Sequence, residues 1–490
     1  MEKAKEIIKK HQNIFIIFFI ILMIIGYCFN VYLGAGDEIW NFQNIYKMLN
    51  GYKIYTDANV ITTPLFHFIG YVFLKLFGQN ILVFRIYNLL LMIIMYFLIY
   101  KILEKLCKNK FSAFIYFCII IMISKAIWSW IGTYNKLAID FVLLGVFLNL
   151  IWIEKKEKHN IIQAVIMFLV FFTKQNIGVF YILGICLYQI IKEKNPKNII
   201  KQIIFFGIFL GISMILFIYF GIFNDFINYA VLGIGEFAKE NIYWSIENII
   251  QIIFSLIFVI SMSIFLIKNE KIKNEEKDKL ILLTIVSIPL MLIAFPIFDE
   301  WHTIVSCIVV NISLFYILDY ILFKHILFGK VRKIMEILLL MYIFINIYLS
   351  IVCFYKYINN DLLKNNFFNY NHPFYGGFFN EKDGKEFEKV TKYIENSEED
   401  VIILTCDAAL YMIPLKRSNG AMDLPFLGNM GKNGEDAMIE KIEQMHDIKI
   451  FIQKDENNLS WQESKKINDY IKENLEYLGE IEKFAIYLKK

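Results

Sequence analysis

Apolar runs near twenty residues recur along this chain. A run of that length covers the hydrocarbon of a bilayer, and there only a helix satisfies its own backbone polar groups. The runs fall at 14–33, 81–103, 111–124, 137–153, 161–173, 177–191, 202–220, 246–267, 280–298, 303–323 and 334–355, several of them shorter than a full crossing. Of the 490 residues, 58% are hydrophobic and only 20% are charged. Soluble domains are less apolar and carry more charge. The pattern predicts a polytopic α-helical membrane protein with about 11 spans.

The net charge of +4 is small for this length, and the basic residues are scattered through short loops, so no nucleic-acid partner is expected. Seven cysteines, at 28, 107, 118, 186, 307, 353 and 406, lie mostly in apolar runs without a CxxC pair. They read as packing residues, not as a disulfide framework or metal site. The run at 14–33 follows a basic N-terminus but lacks a small-residue cleavage site, so it reads as a retained span.

Charge predicts the orientation. With the N-terminus inside, segments 1–13, 101–110, 154–160, 192–201, 268–279 and 324–333 hold 24 Lys and Arg, and the longer outer loops hold 7. That alternation is the positive-inside pattern of a multi-pass plasma (inner) membrane protein. An odd span count puts the N-terminus in the cytoplasm and residues 357–490 outside. The expected division is a transmembrane domain over 1–356 and an extracytoplasmic α/β domain over 357–490. In the latter, 401–405, 448–453 and 484–488 read as strands, and 384–396, 434–446 and 462–474 as amphipathic helices.

The first outer loop, 34–80, is patterned. Ile39, Trp40, Phe42, Ile45, Tyr46 and Leu49 make one helical face, which Gly51 can close. A second helix opens at Thr62-Thr63-Pro64 and runs to Leu76. It is too short to span and is expected to lie along the membrane interface, with His67, Tyr71 and Lys75 on its more polar face. Asp37-Glu38 stands where the first span leaves the membrane. By spacing alone Asp37 is a helix cap; an acid at that place can also act as a general base.

The order of elements resembles the GT-C superfamily of polytopic glycosyltransferases, in the branch with protein O-mannosyltransferases and the lipid A aminoarabinose transferase. The residues that carry the resemblance are Gly-Ala-Gly-Asp37-Glu38 after the first span, Asn50-Gly51 with Tyr55, Thr-Pro-Leu-Phe-His67, Leu-Phe-Gly, and Arg85 opening the next span. Thr173-Lys174-Gln175-Asn176-Ile177-Gly178 and Phe298-Asp299-Glu300-Trp301-His302 resemble later outer turns. The resemblance implies transfer of a sugar, a hexose or pentose, from a polyprenyl-phosphate carrier to an extracytoplasmic lipid, glycan or protein, with inversion. It implies an acid in the first outer loop that deprotonates the acceptor, alone or through a divalent metal ion. Asp37 matches that acid, with Glu38 its neighbour. The branch with aminoarabinose transfer carries Lys before the proline of the second interface helix, where this chain has Thr62-Thr63.

The donor-phosphate contacts therefore fall to Arg85, Lys174, Lys75 and Lys125, since basic side chains are scarce outside. His302, Asp299, His67 and Asp140 are acceptor or metal candidates. Against each stands a plainer reading: interface snorkelling for Lys75, a loop lock for Arg85, surface charge for Lys125 and Lys174, and a polar loop for Asp299 and His302. Two other classes stay open, a transporter or flippase of lipid-linked sugars and a non-catalytic scaffold. The first would be expected to show repeats and broken helices, which the sequence does not display.

Overall fold

The computed structural model describes residues 37–123, 134–193, 196–324, 370–372, 377–379, 381–405, 408–422, 429–454 and 464–490, with isolated helical positions between 333 and 348. The expected span at 14–33, most of that at 334–355, and Lys125 lie outside the described residues.

Two helices build the first loop, α1 (Asp37–Leu49) and α2 (Leu65–Phe77). Gly51 closes α1 at φ 88°, and the amides of Asn50, Gly51 and Tyr52 turn back onto the carbonyls of Lys47 and Met48. The left-handed backbone required there explains the glycine.

The bundle then runs α3 (Ile81–Leu106), α4 (Lys110–Ile123), α5 (Tyr134–Lys155), α6 (Asn160–Thr173), α7 (Gln175–Glu193), α8 (Lys197–Tyr219), α9 (Ile246–Lys268), α10 (Asn274–Leu290) and α11 (Glu300–Lys324). Among the described residues, six helices (α3, α5, α7, α8, α9 and α11) are long and apolar enough to cross a membrane, while α2, α4 and α6 are apolar but shorter. The apolar stretch of α11 is 94% buried and that of α8 only 11%, so α11 is central and α8 turns its isoleucines to lipid. The span expected at 280–298 is displaced. Helix α10 begins earlier, with Glu275 and Glu276 in its first turn, and tightens into a 3-10 turn after Pro289. Residues Ile297–Phe298 (β2) instead pair in parallel with Tyr243–Trp244 (β1).

Beyond the bundle, β3 (Tyr370–His372) and β4 (Gly377–Phe379) pair as a small hairpin. A mixed four-stranded sheet follows, in the order β5 (Asp400–Leu404), β6 (Ile448–Gln453), β8 (Phe484–Lys489), β7 (Glu476–Ile481). Strands β5 and β6 are parallel and the other neighbours antiparallel. Strands β5, β6 and β8 are nearly continuous buried apolar runs, which makes them legible in sequence. Strand β7 is an exposed edge with a bulge at Tyr477/Gly479, and its residues carry no such pattern.

Helix α1 sits between the two units. Phe42, Ile45 and Tyr46 share one core with Phe84 and Tyr87 of α3 and with Phe387, Leu410 and Ile413 of the C-terminal unit. The Lys47 ammonium donates to the carbonyls of Asp57 (2.8 Å) and Gly420 (2.7 Å), tying α1 to both its own loop and that unit. Burial lowers the Lys47 pKa to about 7, partly opposed by Asp57.

Helices α6 and α7 approach so closely that a Cβ on Gly178 would lie 2.3 Å from the Phe171 Cα, whereas one on Gly207 of α8 meets nothing. Gly178→Ala should cost about 1–3 kcal/mol through overpacking against backbone. Thermal unfolding of the purified protein should show a lowered midpoint for Gly178→Ala and an unchanged or higher one for Gly207→Ala. Equal midpoints would contradict the close approach.

Candidate active site

The start of α1 is held by a buried ion pair. Arg85 of α3 donates to both oxygens of Glu38, from Nε at 2.6 Å and from Nη2 at 3.1 Å, and both side chains are almost fully buried. Lys136 and Asp140, one turn apart on α5, adjoin this pair, with Glu38 and Asp140 both acting electrostatically on Lys136. The Asp140 carboxylate is buried and accepts no hydrogen bond among the described residues.

A second support comes from α2. His67 is buried, with Nε2 3.1 Å from Asn41 Oδ1, and Asn41 Nδ2 donates to the Asp37 carbonyl at 2.7 Å. Since Asn41 turns its amide nitrogen to Asp37, its oxygen accepts from the histidine. Burial depresses the His67 pKa to about 3, so the ring is neutral. Sequence pattern put His67 on the polar face of α2; the structure turns it inward because that face packs on α1.

Above these supports, three segments bring Lys174, Asp299 and His302 into electrostatic range of Asp37. Asp37 keeps exposed surface and Lys174 a partial one, although protein closes around both, so they face a recess. Desolvation raises the Asp37 pKa; His302 and Lys174 oppose that rise and Asp299 adds to it. Desolvation lowers Lys174 to about 8, against the pull of Asp37 and Asp299.

Lys174 is precisely seated by neighbours from three segments. Its Nζ donates to Asn135 Oδ1 at 2.6 Å and lies 5.0 Å from the Tyr134 ring centroid. The next residue, Gln175, donates to the carbonyls of Ile61 (2.7 Å) and Ala230 (3.1 Å) and accepts from the Thr63 amide (3.2 Å). Thr63 Oγ1 donates to the Phe171 carbonyl at 2.8 Å. Thus Thr62-Thr63-Pro64 and Thr173–Gly178, read separately in the sequence, are one hydrogen-bonded unit.

Asp299 precedes α11 and accepts from the His302 amide and from His302 Nδ1, both at 2.8 Å. Burial would raise the Asp299 carboxyl, but the His302 bonds outweigh it and the pKa falls below the usual range. Where the ring is neutral and Nδ1–H is donated to Asp299, Nε2 is the acceptor nitrogen. Asp37, Asp299 and His302 are donor types a divalent ion takes, yet among the described residues no three His, Cys, Asp or Glu side chains converge to hold one.

The site residues read from sequence therefore divide. Asp37, Lys174, Asp299 and His302 meet. Glu38 and Arg85 are engaged with each other below them, and Asp140 joins that inner set. Lys75 is exposed on α2 and donates to Tyr71 at 3.1 Å. Tyr134, Asn135, Lys136 and Gln175 were not singled out; a Tyr-Asn-Lys triplet opening an apolar run was the available signal.

The molecule is thus an apolar helical bundle with acids and bases gathered beside its first loop and a C-terminal α/β unit packed on that loop. Residues 62–220 match the family model described as dolichyl-phosphate-mannose-protein mannosyltransferase. Over 97% of its length the chain superposes on ArnT from Cupriavidus metallidurans. The undecaprenyl-phosphate-bound structure gives a TM-score of 0.54 over 97% of that chain, and the apo structure 0.56 over 98%, each at 8% identity. No curated protein matches the sequence. The chain has the fold of ArnT, in line with the resemblance in its first loop.

The buried pair makes a specific demand. Arg85→Gln leaves Glu38 charged and unpaired, which costs about 3–5 kcal/mol. The variant should show reduced folded yield and a lowered unfolding midpoint, while Lys174→Gln should keep the parental midpoint to within about 1 kcal/mol because its recess admits water. A normal midpoint for Arg85→Gln would remove the ion pair from its supporting role.

Proposed function

We propose that this protein is a glycosyltransferase of the plasma membrane that moves a sugar from a polyprenyl-phosphate donor to an extracytoplasmic acceptor, with inversion. The observation that carries the reading is the gathering of Asp37, Lys174, Asp299 and His302 in one recess of a GT-C fold. The matched family model and the Lys and Arg asymmetry, 24 to 7, support the donor class and the outward-facing site.

In this mechanism the Asp37 carboxylate takes the proton of an acceptor hydroxyl or amine. The freed electron pair attacks the anomeric carbon from the face opposite the leaving group. The anomeric C–O bond to phosphate breaks, and its electrons leave with the polyprenyl phosphate. Desolvation makes Asp37 a stronger base than an ordinary carboxylate. Lys174 supplies positive charge where negative charge grows on the departing phosphate. His302, fixed by Asp299, accepts a hydrogen bond from the acceptor through Nε2. Glu38, Arg85, Asn41 and His67 hold the start of α1 so that Asp37 stays aimed. Hexose or pentose, and lipid, glycan or protein acceptor, are all compatible with these roles.

Asp37→Asn retains shape and hydrogen bonding but accepts no proton. Transfer by the purified protein should fall about 10²–10⁴-fold, with donor binding and unfolding midpoint near the parent's. Turnover within a few-fold of the parent would end the general-base assignment.

The lysine sets a pH signature. As Lys174 loses its proton near pH 8, transfer should decline on the alkaline side. On the acid side it should decline as Asp37 is protonated, at a pH above that of an ordinary carboxylate. Lys174→Arg stays charged throughout, so its pH–rate profile should lose the alkaline limb and keep the acid one. An unchanged alkaline limb would exclude Lys174 as its source.

A further inference from the structure

Helix α5 carries Tyr134, Asn135 and Lys136 at the recess and ends at Lys155. At 1.5 Å per residue its far end is about 33 Å away, roughly a bilayer's hydrocarbon thickness. At that far end lies a second cavity of about 540 Å³, within the usual range for small-molecule sites.

The cavity is lined by amides. Asn149, Asn160, Gln163, Gln189 and Gln202 all face it, and all but Asn160 are buried. They form two short relays. Asn149 Nδ2 donates to Gln163 Oε1 (2.8 Å), and Gln163 Nε2 donates to the Tyr181 hydroxyl (3.1 Å). Gln189 Nε2 donates to Gln202 Oε1 (3.1 Å), Gln202 Nε2 to Asn160 Oδ1 (2.9 Å), and Asn160 Nδ2 to Asn198 Oδ1 (3.1 Å). The head of the second relay, Gln189 Oε1, is buried without a donor among the described residues, although buried acceptors are nearly always satisfied.

Trp152 and Tyr188 supply aromatic surface beside the amides. Of the charges at the rim, Lys192 bonds Asp278, His159 Nε2 lies 3.0 Å from Glu157, and Glu275 lies 3.0 Å from Lys279, while Lys156 and Lys158 also line the mouth. Amides both donate and accept, as hydroxyls do, and an aromatic face suits the C–H face of a sugar ring. The buried part of the lining, Asn149, Gln163, Tyr188, Gln189 and Gln202, carries no charge, which favours a neutral group inside the cavity.

Lipid-facing side chains flank the lining. Ile161 and Ile162 follow Asn160, Ile190 and Ile191 follow Gln189, and Ile203 and Ile204 follow Gln202, and all six are exposed. A chain attached to the ligand would thus find an apolar track beside the cavity.

We infer that this cavity binds the neutral sugar headgroup of a glycolipid in the leaflet opposite Asp37. The site is separate from the proposed transfer chemistry and does not rest on it.

The test uses the full-length protein in phosphatidylcholine nanodiscs and an alkyl glucoside bearing a photoreactive diazirine in its alkyl chain. After illumination, peptide mapping should place the label on residues 149–163 and 188–204. Monoglucosyl diacylglycerol should compete it away, while methyl glucoside and phosphatidylglycerol at the same concentration should not. Trp152→Ala should reduce labelling about tenfold, as expected for loss of an aromatic contact near 1.4 kcal/mol. Gln189→Leu, similar in size, should also reduce it, and the competition arms on the parent protein stand even if either variant folds poorly. Equal competition by methyl glucoside would overturn the lipid-linked source. Competition by phosphatidylglycerol, or a label spread evenly over the lipid-facing helices, would overturn the sugar site.

Discussion

The Glu38–Arg85 pair is the constraint around which the outer half of the molecule is arranged. Two charges withdrawn from water hold their place only if each has the other, so α1 and α3 are fixed relative to one another at one point. From that point α1 extends between the bundle and the C-terminal unit. Its apolar side chains enter a core common to both, and Lys47 clasps the carbonyl of Gly420. The residue that precedes the pair in sequence, Asp37, is thereby held at the mouth of the recess, with Asn41 and His67 bracing its carbonyl from the other side.

The electrostatics of the recess follow from partial burial. Enough protein surrounds Asp37 and Lys174 to penalise both charges, which brings the two groups closer in proton affinity than they would be in water. Asp299 is treated differently because His302 donates to it twice and more than offsets its burial. A carboxylate that is easily protonated and one that is not stand in the same site, separated by one histidine. The first suits proton transfer, the second orientation.

Much of this was visible in the sequence, and the failures have a common cause. Hydropathy gave α3, α5, α7, α8, α9 and α11, because each satisfies a length and composition rule on its own. Gly51 and the Thr-Thr-Pro start of the second loop helix were legible for the same reason: turn and cap chemistry is local. Of the site, Asp37, Lys174, Asp299 and His302 were singled out as outer polar residues, but their convergence was not deducible. Arg85 was read both as a phosphate contact and as a loop lock; the lock forms, but its partner could not be named because Glu38 lies 47 positions away, on a helix whose orientation depends on tertiary packing. His67 looked polar-facing because periodicity describes a helix's faces without saying which of them meets a neighbour. Strand β7 was missed because an exposed edge need not carry a buried apolar run.

The hydrogen bonds around Gln175 bear on how the protein is made. They join a loop near residue 61, a turn near 174 and a carbonyl at 230, while His302 emerges later still. Asp37 leaves the ribosome long before His302. At about 5–20 residues per second, the interval is on the order of tens of seconds. During it the early helices can settle in the membrane with Glu38 and Arg85 already joined, since both belong to the first part of the chain. Asp37 has no Lys174 or His302 beside it for most of that time. A nascent chain halted before α11 would therefore be an inserted but incomplete site, lacking His302 until that helix has been added.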